Sequence, residues 1–210
     1  FSCVYAQSAC AYMYKYDATT AHLSMVAVKN HANGAKNPKA HLGFEWSLED
    51  AVNAPVVADP LNLYHCCPTS DGGAAVLVAS EDVVDQYTDD PIRVAGVGAA
   101  SERVGLFQRD TYTAISSSES AAQSAYDQAG IDPDDLDFAE VHDCFAIAEL
   151  LAYEDLGFCD RGKAPSMLED GKTDLAGEIP VNASGGLKSK GQPIGSTGAG
   201  QVTEAIKQLS

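Results

Sequence analysis

The sequence predicts an α/β domain with a largely parallel mixed sheet and helices on both faces. From residue 91 onward, short apolar runs alternate with longer runs of helical spacing, in the order strand, helix, strand, helix, strand, helix. Gly130 and Gly157 stand where two of the predicted helices end. Residues 74–80 (AAVLVAS) form a continuous apolar run with the composition of a strand buried on both faces.

The first 35 residues predict two helices. Tyr12 and Tyr16 recur at helical spacing, and a second periodic run, HLSMVAVKNHANGA, ends at Gly34. The stretch that follows, as far as Pro55, is irregular because prolines and glycines interrupt it.

The second part of the chain is more regular. Ser116 and Glu119 have the spacing of a capping box at the start of a helix. A change in composition near residues 87–91 predicts a boundary between residues 1–90 and residues 91–210. The predicted strands are 91–99, 136–143 and 178–186, and the predicted helices are 116–130, 145–157 and 197–209.

The charge is strongly acidic. Thirty Asp and Glu face 13 Lys and Arg, which gives a formal net charge of −17. Such a surface repels phosphate backbones and anionic membranes, so we expect no nucleic-acid partner. Two interpretations stay open, an ordinary acidic enzyme and a halophilic protein with an acidic surface. The sequence contains no run of about 18 apolar residues, which is the length that would predict a membrane span.

The cysteine pattern favours a cytoplasmic protein. Adjacent Cys66 and Cys67 do not fit a secreted disulfide framework, and no C-x-x-C pair suggests zinc. We therefore expect no metal. The chain begins with Phe1 and stops within a predicted helix, so we also expect a piece of a longer protein.

Three reactive side chains, His142, Asp143 and Cys144, fall where a predicted strand ends and a helix begins. Functional groups gather at such junctions in α/β sheets. The dipole of the following helix is expected to lower the pKa of Cys144, and its amides can bind an oxyanion. The alternative is a buried cysteine and a hydrogen-bonded histidine at a turn, and the triplet alone leaves both open.

Two other stretches are candidates. Residues 182–200 (NASGGLKSKGQPIGSTGAG) form a long glycine-rich loop that lets backbone amides approach a ligand closely, and it carries Lys188 and Lys190. The loop has neither phosphate-loop nor dinucleotide-binding spacing. Residues 66–75 (CCPTSDGGAA) predict, taken alone, only a turn into a buried strand.

Together and in this order, these three stretches resemble the thiolase family. VHDCFAIAELLAYEDLGF is similar to the His-Asp-Cys-Phe motif of archaeal and sterol-carrier-protein-type thiolases, and NASGGLKSKGQPIGSTGAGQ is similar to the family's carboxyl-terminal glycine loop. The resemblance spans nearly the whole chain. It implies a partial thiolase-like fold, with the end of the amino-terminal half-domain and part of the CoA-binding loop region in residues 1–90 and a truncated carboxyl-terminal half-domain in residues 91–210.

The resemblance also implies an activity. Thiolases are acyl-CoA C-acyltransferases that condense acyl-CoA with acetyl-CoA, or cleave a 3-ketoacyl-CoA with free CoA, through an acyl-cysteine. By resemblance, His142 contributes to an oxyanion hole, Cys144 is the acid/base cysteine, and Ser184, Gly185 and Gly186 lie near the pantetheine and thioester. Coenzyme A thioesters are substrates, and no cofactor is needed.

Two departures from the family pattern stand out. The nucleophilic cysteine of the family lies in the amino-terminal half, and no stretch here matches its context. Gln192 replaces the histidine expected in Lys-Gly-His-Pro. A glutamine can donate a hydrogen bond to an oxyanion, but it cannot accept a proton at neutral pH.

Gln192 leaves a second hypothesis open, a catalytically impaired thiolase-like subunit that binds acyl-CoA or scaffolds a complex. A related Claisen-condensing enzyme, such as a hydroxymethylglutaryl-CoA synthase, fits the His-Asp-Cys-Phe stretch less well. The resemblance further implies a homo-oligomer, either dimer or tetramer, and an archaeal type of assembly in which an OB-fold partner joins the thiolase to a hydroxymethylglutaryl-CoA synthase.

Overall fold

The computed structural model describes residues 1–210, in which nine α-helices and one small antiparallel sheet form the regular structure. The sheet pairs β1 (Val56–Ala58) with β2 (Leu61–Asn62). Short 3-10 turns occupy 63–65, 106–108, 133–135 and 194–196. The helices are α1 (Ser2–Tyr16), α2 (Thr20–Gly34), α3 (Leu48–Val52), α4 (Glu81–Val84), α5 (Ser116–Ala129), α6 (Ala146–Asp155), α7 (Ala164–Glu169), α8 (Gly186–Ser189) and α9 (Thr197–Leu209).

The predicted helices are confirmed, and their glycine stops explain where two of them end. Gly130 follows α5 with φ +70°, and its N–H donates to the Tyr126 carbonyl at 2.8 Å. The predicted capping box is wrong. Ile115 is the N-cap residue without a side-chain cap bond, and Glu119 instead pairs with Arg161 at 2.8 Å.

The strands predicted at 74–80 and 91–99 are absent from the structure. A strand buried on both faces needs strands hydrogen-bonded on its edges and layers on both faces, and here neither segment pairs with another strand: Leu77 is 80% exposed and Val97 67% exposed. Glycine lets the second segment lie directly on α5, because a Cβ added at Gly98 would come within 1.8 Å of the Ala121 carbonyl oxygen.

The strands predicted at 136–143 and 178–186 meet in a single parallel bridge between Ala139 and Val181. The Ala139 N–H donates to the Pro180 carbonyl at 2.9 Å, and the Asn182 N–H donates to the Ala139 carbonyl at 2.8 Å. The predicted parallel neighbours are therefore present, but as one bridge rather than as full strands. This bridge brings the segment before α6 beside the glycine loop.

The core lies between α1, α2, α6 and α7, with α6 at its centre. Val26, Ile147 and Leu150 are fully buried there. Because α6 begins inside the core, the residues just before it are held firmly at its rim. None of the helices combines the length and the apolarity that crossing a bilayer requires.

Candidate active site

The segment from His142 to Phe145 enters α6 and is anchored on two sides. The Phe145 ring stacks on Tyr5, with the ring centroids 4.6 Å apart. The Cys144 carbonyl accepts a hydrogen bond from the Cys67 N–H at 2.9 Å. With these contacts His142 is exposed at the rim of the core, whereas Asp143 and Cys144 are buried.

Asp143 lies buried beneath the glycine loop and holds it in place. Its Oδ1 accepts from the Leu187 N–H at 2.6 Å, and its Oδ2 accepts from Asn30 Nδ2 at 2.8 Å. Burial, with the nearby Glu149 charge, raises the pKa of this carboxyl. Only glycine fits at position 186, because its φ is +58° and an added Cβ would come within 2.5 Å of Asp143 Oδ2.

A buried polar network joins α2, α6 and the glycine loop behind this segment. Glu149, which is fully buried, pairs with Lys29 Nζ at 2.9 Å. It also accepts hydrogen bonds from Asn30 Nδ2 and Asn182 Nδ2, both at 2.6 Å, and from the Tyr153 hydroxyl at 2.5 Å. Four partners compensate the buried carboxylate, so the network fixes the position of the loop relative to α6.

His142 and Gln192 meet at the surface above this network. The Gln192 NH2 group donates to His142 Nε2 at 3.3 Å when the imidazole proton is on Nδ1, and the Gln192 Oε1 accepts a hydrogen bond from the Cys67 thiol at 2.5 Å. Partial desolvation lowers the pKa of His142, so its imidazole is neutral at physiological pH. The site therefore brings two side-chain nitrogens, 50 residues apart in sequence, into direct contact.

Cys144 is 6% exposed, and its surroundings act on the thiol in opposite directions. Burial raises the pKa of Cys144, while a hydrogen bond from Tyr5 and the charge of Lys188 lower it. The backbone N–H of Phe145 at the start of α6 also lowers this pKa, as expected of a helix start, but burial outweighs these contributions and the net shift is upward. Lys188 is itself buried, with its Nζ donating to the His65 carbonyl at 2.7 Å.

Ser184, Gly185 and Gly186 lie in the same loop, but their polar groups face the protein interior. The Ser184 N–H and hydroxyl donate to the Glu140 carboxylate at 2.9 and 2.7 Å. The Gly185 N–H donates to the Asn182 carbonyl at 2.9 Å, and the Gly186 N–H to the Ser184 hydroxyl at 3.3 Å. Their role as a pantetheine site stays a prediction.

Sequence reasoning missed Cys67, Glu140 and the network around Glu149. The contact between Cys67 and Gln192 joins positions 125 residues apart, so no local pattern indicates it. The one available signal is the unusual adjacent pair Cys66 and Cys67, in a stretch whose sequence predicts only a turn.

Comparison with known proteins identifies the family. The sequence model described as "Thiolase C-terminal domain-like" matches residues 98–210, more than half of the chain. The chain belongs to the thiolase family. The acetyl-CoA acetyltransferase of Methanothermobacter thermautotrophicus is 44% identical over 100% of this chain and 55% of its own length. The benzoylsuccinyl-CoA thiolase subunit BbsB of Thauera aromatica is 42% identical over 98% of this chain and 53% of its own length.

Solved structures confirm a thiolase-like fold. The Ltp2-ChsH2(DUF35) aldolase has a TM-score of 0.87 and 28% identity, over 97% of this chain and 54% of its own. A monomeric SCP2-thiolase-like protein from Mycobacterium smegmatis has a TM-score of 0.74 over 99% of this chain, and at 18% identity it shows the fold alone. The chain spans about half the length of the curated relatives that it matches.

Proposed function

We propose that this chain carries the acid/base cysteine and the oxyanion donors of an acyl-CoA C-acyltransferase. The reaction is the Claisen condensation of an acyl-CoA with acetyl-CoA, or the thiolytic cleavage of a 3-ketoacyl-CoA. The observation that carries the proposal is the direct contact between Gln192 Nε2 and His142 Nε2 at 3.3 Å. The names of the acetyl-CoA acetyltransferase and thiolase relatives support the same reaction.

The two nitrogens suit a developing enolate. Donors about 3 Å from the oxygen stabilise the charge that forms on it in the transition state, and removal of one such donor costs about 100- to 1,000-fold in rate. One N–H of Gln192 and the Nε2–H tautomer of His142 can point to a single thioester oxygen on the solvent side. In the structure the Nε2 of His142 accepts from Gln192, so this role requires the imidazole proton to move from Nδ1 to Nε2 when the thioester binds, and the exposed ring can exchange that proton with solvent.

Cys144 supplies the proton transfer in this proposal. In the condensation direction its thiolate takes the α-proton of acetyl-CoA, and the electron pair of the C–H bond passes to the enolate. The enolate carbon then attacks the acyl thioester, the new C–C bond forms, and the thiolate of the acyl-cysteine leaves. Thiolysis runs the same steps in reverse, with the Cys144 thiol returning the proton.

His142→Ala tests the oxyanion role. We expect thiolysis of acetoacetyl-CoA to fall by about 100-fold or more, because one of two donors is lost. His22→Ala is the control, since His22 lies on α2 and pairs with Glu169 at 2.9 Å, away from the site. Equal rates in the two variants would remove His142 from the mechanism.

Gln192→His tests the departure at the usual histidine position. A histidine there can accept a proton, so a gain in thiolysis would mean that Gln192 limits a working site. Binding of acetyl-CoA without turnover in both proteins would refute the acyltransferase proposal and support a binding subunit.

A second candidate reaction is aldol cleavage of a 3-hydroxyacyl-CoA. A solved relative with 28% identity is an aldolase, and an oxyanion site with no assigned nucleophile suits this chemistry. Here a base takes the hydroxyl proton, the Cα–Cβ bond breaks, and the thioester enolate is protonated. The dependence on free CoA separates the reactions: thiolysis consumes one CoA per cleavage, and aldol cleavage consumes none.

We propose further that the chain works in an assembly. Two of the relatives are a named thiolase subunit and a complex of two proteins, Ltp2 and ChsH2. A homodimer or homotetramer is the simplest form, and an OB-fold partner that joins a hydroxymethylglutaryl-CoA synthase is the larger one. The molar mass from light scattering, measured for the protein purified alone and after co-expression with the OB-fold partner and the synthase, distinguishes a monomer from each assembly.

A further inference from the structure

Cys67 and Gln192 form a hydrogen-bonded side-chain pair at the edge of the candidate site. The Cys67 thiol donates to Gln192 Oε1 at 2.5 Å. Their chain segments also run side by side, through a parallel bridge between Thr69 and Gln192 and a hydrogen bond from the Gln192 N–H to the Ser70 hydroxyl at 3.2 Å. Since the Cys67 N–H donates to the Cys144 carbonyl, Cys67 also joins the glycine loop to the segment before α6.

This pair determines which end of the Gln192 amide faces the site. A primary amide has an accepting oxygen and a donating NH2 group on opposite sides. When Gln192 Oε1 accepts from the Cys67 thiol, Gln192 Nε2 lies toward His142, at 3.3 Å from His142 Nε2. Turned by half a rotation, the amide would place its oxygen beside His142, where it would repel an oxyanion instead of binding it. A thiol is a donor, so it favours the first orientation.

We propose that Cys67 is a positioning residue that orients the Gln192 amide with its NH2 group toward the reacting oxygen. The identity of that oxygen rests on the proposed function, whereas the orientation of the amide does not. Burial raises the pKa of Cys67 to about 11, so the side chain remains a protonated donor at neutral pH. Cys67 takes no covalent role, because its thiol hydrogen is engaged with Gln192 and the thiol is not ionised.

Kinetics of three variants test the proposal. Cys67→Ala removes the donor and is expected to lower kcat by about 10-fold or more with KM nearly unchanged, because the lost interaction acts in the transition state. Cys67→Ser keeps a donor and is expected to stay within about twofold of the parent kcat. Cys66→Ala is the matched control, since that thiol donates to the Asn62 carbonyl at 3.4 Å rather than to Gln192. The proposal would be overturned if Cys67→Ala had the kcat of the parent, or if the kcat of Cys67→Ser were as low as that of Cys67→Ala.

Nuclear magnetic resonance gives a second readout that needs no turnover. Selective ¹⁵N labelling of glutamine shows the side-chain NH2 signals, and their loss in Gln192→Ala assigns the pair that belongs to Gln192. We expect Cys67→Ala to shift or broaden this pair, and Cys67→Ser and Cys66→Ala to leave it in place. If the parent protein has no thiolysis activity but the signals respond in this way, the proposed function fails and the positioning role stands. If the signals of Gln192 are the same in Cys67→Ala as in the parent, the positioning role is refuted whatever the activity.

Discussion

The buried pair between Lys29 and Glu149 allows a quantitative prediction for Lys29→Met. The side chains are 5% and 0% exposed, and the charged atoms are 2.9 Å apart. Removal of one partner of a buried pair costs about 3–5 kcal/mol, because the remaining charge is left without compensation. Glu149 keeps hydrogen bonds from Asn30, Asn182 and Tyr153, so we expect a loss near the lower end, about 3 kcal/mol in the free energy of unfolding.

Urea unfolding followed by circular dichroism measures this loss from the shift of the midpoint. Lys172→Met is the matched control. Its partner Glu178 is at a similar distance, 3.0 Å, but the side chains are 46% and 69% exposed. We expect no measurable change there, since exposed ion pairs contribute little. If Lys29→Met and Lys172→Met unfold at the same urea concentration, the argument that the buried network holds the site together is wrong.

Gly186 in the glycine loop, His65 beneath that loop and Tyr5 beside Cys144 each give a further prediction. Gly186→Ala should lower the thermal unfolding midpoint, because φ is +58° and the Cβ would meet a buried carboxylate, whereas Gly73→Ala, with nothing within 4 Å of the added Cβ, should not. Burial lowers the pKa of His65 from 6.5 to about 3. The fold therefore favours its neutral form, and the stability it contributes is present above pH 6.5 and is lost as pH falls toward 3. His65 alone contributes a loss of about 2 kcal/mol in the free energy of unfolding between about pH 8 and about pH 5, so the difference between urea unfolding at these two pH values should be smaller by about this amount in His65→Gln than in the parent. Tyr5→Phe removes a hydrogen bond that lowers the pKa of Cys144, so the alkylation rate of Cys144 should rise only at higher pH; an unchanged pH profile would contradict this role.

Local patterns predict the helices of this chain well and its strands poorly. Helical spacing and a glycine stop are properties of a dozen neighbouring residues, and α5 and α6 follow them closely. A buried strand depends on partners that are distant in sequence. The run 74–80 has the composition of a strand but no hydrogen-bonded neighbour in this structure.

The same contrast holds at the site. His142 and Cys144 stand out from the sequence because three reactive side chains adjoin one helix start, and the resemblance adds Gln192. Cys67 became visible only in the fold, since the bridge beside Gln192 links two loops with no shared pattern. The domain boundary near residues 87–91, the cytoplasmic location and the adaptation to salt stay predictions.

Exchange of the α-protons of acetyl-CoA in D₂O isolates the proton transfer from the rest of the reaction and so shows whether Cys144 is the acid/base residue. We expect the parent protein to incorporate deuterium and Cys144→Ala to slow this exchange by about 100-fold or more. Cys159→Ala, which removes a half-buried thiol elsewhere in the fold, should exchange at the parent rate. Exchange at the parent rate in Cys144→Ala would contradict the assignment of Cys144 as the acid/base residue.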